Sequence, residues 1–184
     1  MDHLRVVADV NVLVDTAFGT YGRGRKGEPL DLSLDHPGDM LGTLLRREEC
    51  SLWLSGHILG EVNRVLQIPQ PRGGGFSKED VEDYIRLLMR IATESGGGLV
   101  APEPGVNEID DYEDNLVLGT AIAAGARVVV TSDYEFQRAT GVHGVAIMAP
   151  SDFLSRMEIV RRKAMQVVRE EVLGIEEDST GLAL

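Results

Sequence analysis

The chain has 184 residues, 43% of them hydrophobic, which is enough to bury the core of one domain and argues against wholesale disorder. Eighteen basic residues against thirty acidic ones give a net charge of −12, which speaks against a protein that coats nucleic acid through bulk positive charge. The lone Cys50 excludes an internal disulfide framework and a cysteine-rich zinc site, and four scattered histidines make a histidine zinc site a poor reading.

In chain order, Leu4 to Ala8 is a short Val-rich run ending at Asp9 and reads as a buried strand. Val10 to Phe18 reads as a short helix. Gly19 to Gly38, dominated by Gly, Pro, Arg and Asp, reads as a surface loop. Helical spacing of Met40, Leu41, Leu44 and Leu45 predicts a helix over Asp39–Glu49. A strand is expected over Ser51–Leu54. Ser55 then caps a helix that runs to Gln67 before Pro69. After a connector at Pro71–Gly75, Ser77-Lys78-Glu79-Asp80 forms a capping box with Asp in place of Glu. The helix it opens carries Val81, Tyr84, Ile85, Leu88 and Ile91 on one face and stops at Gly96–Gly98.

Leu99–Ala101 is the next strand candidate. The acidic cluster Asp110–Asp114 leads into a helix over Asn115–Ala124 that is apolar on nearly every side and therefore expected to be central. Gly125 stands where a C-terminal cap belongs. Arg127–Thr131 and Gly144–Met148 read as strands. Pro150 starts a last helix reaching Leu173, and an acidic tail follows from Glu176. Strands alternating with helices predict an α/β fold with a largely parallel sheet. The N-terminus lacks a signal-peptide pattern and no apolar run approaches the roughly 20 residues of a membrane span, so a cytoplasmic protein without membrane contact is expected.

Two of these strands end in aspartate: Val6-Val7-Ala8 delivers Asp9, and Val128-Val129-Val130-Thr131 delivers Ser132-Asp133. Ligands of open α/β sheets sit outside the carboxyl ends of the strands, so this edge is a candidate site. Either Asp could equally be a helix cap. Glu61 falls on the border of its helix's apolar face, between Ile58 and Val65, and reads either as a third member or as a solvated residue. Asp114, flanked by Asp110, Asp111 and Asn115, is the fourth candidate. If these carboxylates converge, each close pair repels by about 4 kcal/mol at 4 Å and an effective dielectric of 20. Such a cluster takes up protons or binds a cation, and an all-oxygen donor set selects Mg²⁺ or Mn²⁺. Metal-assisted phosphodiester hydrolysis is the chemistry such a site serves.

These residues resemble a known family. Val7-Ala8-Asp9-Val10-Asn11-Val12-Leu13-Val14 resembles the opening motif of the PIN-domain (PilT N-terminus) nucleases. The segment from Ser55 to Leu66 resembles the second motif, with its acidic residue at Glu61. Asp111-Tyr112-Glu113-Asp114-Asn115 resembles the third motif and Val129-Val130-Thr131-Ser132-Asp133 the fourth. Val145 to Leu154 resembles the closing strand and helix start of one subgroup, the toxin components of toxin–antitoxin pairs.

The resemblance implies a three-layer α/β/α fold and Mg²⁺- or Mn²⁺-dependent cleavage of RNA. It implies Asp9, Glu61, Asp114 and Asp133 as catalytic metal ligands, with Asn11, Asp111, Asn115, Thr131 and Ser132 in support. Residues 1–154 would form the nuclease domain, and 155–184 a C-terminal helix and acidic tail packed on it. An antitoxin that inserts an arginine among the carboxylates, and a homodimer, are the partners it implies besides RNA.

Several features weigh less. Gly22-Arg23-Gly24-Arg25-Lys26-Gly27 spells a dinucleotide fingerprint, but no strand precedes it and Glu28-Pro29 follows, so that reading fails. Arg23, Arg25 and Lys26 could instead touch RNA phosphates, with Tyr21 stacking on a base, or form a solvated loop. The cluster Arg161-Arg162-Lys163 reads as an RNA or acidic-partner contact or as a solvated face. Two rivals remain. An aspartyl-phosphate phosphatase needs a second Asp where this chain has Asn11, and a lysine near the phosphate, whereas Lys26, Lys78 and Lys163 all lie away from strand ends. A non-catalytic PIN-like binding module is the other.

Overall fold

The computed structural model describes residues 3–21, 50–68 and 76–158. The regions predicted as the helix over 39–49, most of the 19–38 loop, the last helix beyond 158 and the acidic tail lie outside the described residues. Five strands, β1 (Leu4–Ala8), β2 (Cys50–Leu54), β3 (Gly98–Leu99), β4 (Val128–Val130) and β5 (Ala146–Met148), form one sheet in the order β3-β2-β1-β4-β5. Every pairing is parallel. The helices are α1 (Val10–Tyr21), α2 (Gly56–Leu66), α3 (Lys78–Glu94), α4 (Tyr112–Ala124), a single turn α5 (Tyr134–Gln137), and α6 over residues 150–158.

Parallel strands need crossovers, and these are right-handed. The crossovers from β1 to β2 and β2 to β3 run one way along the sheet; the one from β3 to β4 runs back past β1. The same handedness therefore puts α1, α2 and α3 on one face and α4 on the other. The result is a three-layer α/β/α sandwich, as the family resemblance implies, on the parallel sheet that the alternating strands and helices predict. Its core is aliphatic: Val6, Val7, Leu52, Leu54, Val129 and Val130 are fully buried in the sheet, and Leu13, Ile58, Leu88 and Leu118 are fully buried above and below it. Tyr84 is buried on α3, and its hydroxyl donates to the Leu13 carbonyl at 2.7 Å, pinning α3 to α1. Among the described residues no helix is long and apolar enough to cross a membrane.

Local signals set most element ends. Ser55 caps α2 by accepting from the Ile58 N–H, and Ser77 and Asp80 form the reciprocal capping box of α3. Gly125 closes α4 in the left-handed region, φ 60°, with the Ala126 N–H reaching back to the Ala121 carbonyl at 2.8 Å.

Other boundaries move. α1 continues through Tyr21, three residues into the predicted loop. β3 is Gly98–Leu99 rather than Leu99–Ala101, because the glycines that end α3 also begin the strand. α4 starts at Tyr112, not Asn115, since Asp111 caps it. β5 is shortened to Ala146–Met148 by a 3₁₀ turn over Val142–Gly144. The turn α5, with Phe136 as its one buried residue, is too short for periodicity to reveal.

Among the described glycines, Gly97 has the closest neighbour. A Cβ there would lie 1.9 Å from the Leu52 carbonyl oxygen, which is β2 backbone and cannot step aside. Gly97→Ala is expected to lose about 3 kcal/mol or more, the upper end of overpacking costs, read as a lower urea midpoint at unchanged m-value.

Candidate active site at the carboxyl edge of the sheet

The strand order reverses between β1 and β4, which places a topological switch point at the carboxyl ends of exactly those two strands' neighbours in sequence, Asp9 and Thr131-Ser132-Asp133. Asp9 is 5% exposed. Its Oδ1 accepts from the Val10 N–H at 2.6 Å, and its Oδ2 accepts from Asn11 Nδ2 and from the Thr131 hydroxyl, both at 2.7 Å. Asn11 reaches across the two strand ends: its amide also donates to Thr131 Oγ1 at 3.1 Å, and its Oδ1 accepts from the Ser132 N–H at 3.0 Å. Thr131, fully buried, also accepts from the Asp133 N–H at 3.0 Å. This network holds the Asp9 carboxylate in one orientation and ties it to Asp133 through a single hydroxyl. Ser132 takes part through its backbone.

Asp133 caps α5: its Oδ1 accepts from the Glu135 and Phe136 N–H groups at 2.7 and 3.1 Å. Asp111 caps α4 in the same way, from Glu113 and Asp114. Capping and participation in the site are compatible for Asp133, since a carboxylate has a second oxygen. Asn115 is buried, and its amide bonds the backbone of Ile109 and Asp111, so it fastens the acidic loop to α4.

Asp114 sits half-buried in the first turn of α4. Its carboxyl is pushed up to about 7, first by burial, then by the negative charges of Asp9, Asp111, Asp133 and Glu113. Asp9 is also raised; burial outweighs the Thr131, Val10 and Asn11 hydrogen bonds, and the charge of Asp133 adds to it. Asp9, Asp114 and Asp133 thus meet in one electrostatic neighbourhood. Glu61 is paired with Arg64, which donates to its Oε2 at 2.7 Å through Nε and 2.5 Å through Nη2 and lowers its pKa. Arg64 in turn feels Glu113, so the pair lies on the side of α4's acidic turn.

The comparison with known families decides what this arrangement belongs to. The sequence profile described as PIN domain matches residues 5–135, which span β1 to α5 and include all four carboxylate positions. The chain belongs to the PIN-domain family. Comparison with curated proteins gave no match. PIN domains are generally nucleases, and the family generally uses divalent metal ions.

The donor set of this PIN domain fits such an ion in kind. It offers only oxygen donors, and at Asp114 and Asp9 burial is the main reason the carboxyls are raised, with neighbouring negative charge adding to it. Among the described residues, no group of three His, Cys, Asp or Glu side chains is drawn together closely enough to enclose an ion.

Of the residues proposed to touch substrate, Arg23, Arg25 and Lys26 lie outside the described residues, and Tyr21 is the last residue of α1. Two exposed aromatics went unnoticed in the sequence. Tyr112 and Tyr134 are 73% and 72% exposed, each the first residue of a helix capped by a site aspartate. The signal was available: an aromatic directly after an N-cap Asp, with no apolar face to join.

Proposed function

We propose that this PIN domain is a divalent-metal-dependent endoribonuclease. The reading is supported by the PIN-domain match together with Asp9 and Asp133 at the carboxyl ends of β1 and β4, where the charges of both also raise the Asp114 carboxyl. Asp9, Asp114 and Asp133 would hold the ion, directly or through water, and Glu61 would join after release from Arg64. When bound, Mg²⁺ or Mn²⁺ supplies Lewis-acid stabilisation of charge on the phosphoryl oxygens and a more acidic water. Asn11 and Thr131 orient Asp9, and supports of this kind are worth about 10–100-fold in affinity or activity. Without the ion the Asp114 carboxyl is raised to about 7, so it would lose a proton when it takes up the metal.

The likeness of Val145–Leu154 to the toxin subgroup supports a finer reading: the toxin of a toxin–antitoxin pair, working as a homodimer in the cytoplasm and silenced by an antitoxin arginine set among the carboxylates. Labelled single-stranded RNA and DNA of equal sequence, incubated with Mn²⁺, Mg²⁺ or EDTA, test the core claim. Cleavage of RNA that requires a divalent ion is expected. Cleavage indifferent to EDTA, or none with either ion, rejects it. Hydrolysis of p-nitrophenyl phosphate in place of RNA would favour the phosphatase.

A further inference from the structure

An open groove of about 350 Å³ lies along β5, on the far side of β4 from β1, and one of its lining residues, Tyr134, directly follows Asp133. Its floor is the edge strand β5, Ala146 to Met148. One wall is α5 with Tyr134, Gln137 and Arg138, the other is α6 with Asp152 and Arg156. Two hydrogen bonds join it to the site. The Thr131 N–H donates to the Met148 carbonyl at 3.0 Å, and Gln137 Nε2 donates to the Thr131 carbonyl at 3.0 Å. Thr131 is the residue that orients Asp9, so the groove begins one residue from the carboxylates.

Its chemistry contrasts with the rest of the chain. In a protein of net charge −12, this groove has two arginines against one aspartate. Arg138 pairs with Glu135 at 2.9 Å; Arg156 is exposed and, among the described residues, has no ion-pair partner. Tyr134 presents its ring to solvent at 72% exposure. An exposed aromatic ring and an exposed guanidinium lining one groove of mixed polar and apolar character suit an unpaired base and its phosphate. Duplex RNA cannot offer a base to such a ring without unstacking it.

We infer that this groove binds one nucleotide of single-stranded RNA adjacent to the scissile phosphate, its base stacked on Tyr134 and its phosphate held by Arg156. This deepens the nuclease reading and rests on it for the word scissile; the binding itself does not require cleavage.

The test therefore measures binding in EDTA, by fluorescence anisotropy of a labelled 12-nucleotide RNA on the full chain. Tyr134→Ala is expected to weaken binding about 5- to 150-fold, the range for loss of one stacked base. Tyr134→Phe should restore it to within about twofold, because the ring and not the hydroxyl carries the stacking. Arg156→Ala should weaken binding and flatten its salt dependence by about 0.7 in log–log slope, one single-strand phosphate contact. A hairpin duplex of the same composition should compete poorly. Wild-type affinity in both Tyr134→Ala and Arg156→Ala, or equal losses in Tyr134→Ala and Tyr134→Phe, overturns the groove. So does a change of sedimentation coefficient in Tyr134→Ala, which would make the face an interface between copies. Ring-dependent binding without cleavage in any metal would leave the groove standing and remove the nuclease. Metal-dependent cleavage with KM unaltered by Tyr134→Ala would do the reverse.

Discussion

Asp114→Asn is expected to abolish RNA cleavage while making the metal-free protein more stable at pH 8. Both effects have one cause. The Asp114 carboxyl is raised to about 7 by burial and by four anionic neighbours, so its charge is a liability to the folded chain at alkaline pH. The unfolded group titrates near 3.9. Between these values the folded state holds the extra proton, so stability declines as pH climbs from about 4 to about 7 and is level above. Asparagine removes that decline. Asp114 is only half-buried, so solvent screening cuts the full linkage to about 1–2 kcal/mol, or roughly 2–8 °C in Tm at pH 8, with no gain at pH 4. Activity should fall by about 10²-fold or more, the scale of several kcal/mol of lost charge stabilisation. Thermal melts at pH 4 and pH 8 with EDTA, beside single-turnover cleavage, check both halves. A variant that loses activity and stability together at pH 8 would refute the account of Asp114. In the wild type the same titration predicts that divalent affinity rises about tenfold per pH unit up to pH 7 and levels beyond, since one proton must leave.

Asp9→Ala is expected to lose activity to the same degree but to lose stability as well. Asp9 is also raised by burial, yet its two oxygens accept from Val10, Asn11 and Thr131. Removing the carboxylate leaves the buried Thr131 hydroxyl and the half-buried Val10 and Asn11 donors without their acceptor at the junction of β1 and β4. Each costs about 1–3 kcal/mol if water cannot replace the bond. A total of at least about 2 kcal/mol in urea unfolding is expected, with the midpoint lowered. The contrast between the two aspartates is the sharper test. One is a charge held against its preference; the other is also the acceptor on which two strand ends depend.

Much of the fold was legible because it is local. Val-rich runs mark β1 and β4, the Ser55 and Ser77 caps mark α2 and α3, and Gly125 stops α4. Asp9 and Asp133 were found by strand-end logic, and that logic depends only on parallel connectivity. The α4 start was missed because capping by Asp111 competes with its reading as a cluster member, and both roles fall on one side chain. Glu61 sits four residues from His57 and three from Arg64; the i,i+3 ion pair was readable in principle. Its choice between Arg64 and the carboxylate neighbourhood depends on distances between α2 and α4.

The sequence by itself determined the element types, the parallel order of strand and helix, and the carboxylates available at strand ends, since periodicity and caps act over a few residues. Only the tertiary structure decided that Asn11 and Thr131 bridge β1 to β4, that Asp114 is caught among four other anions, and that Tyr134 and Arg156 face one groove. Those outcomes arise between residues distant in sequence, where burial lowers the dielectric and packing fixes orientation, and neither quantity is written in any single stretch of chain.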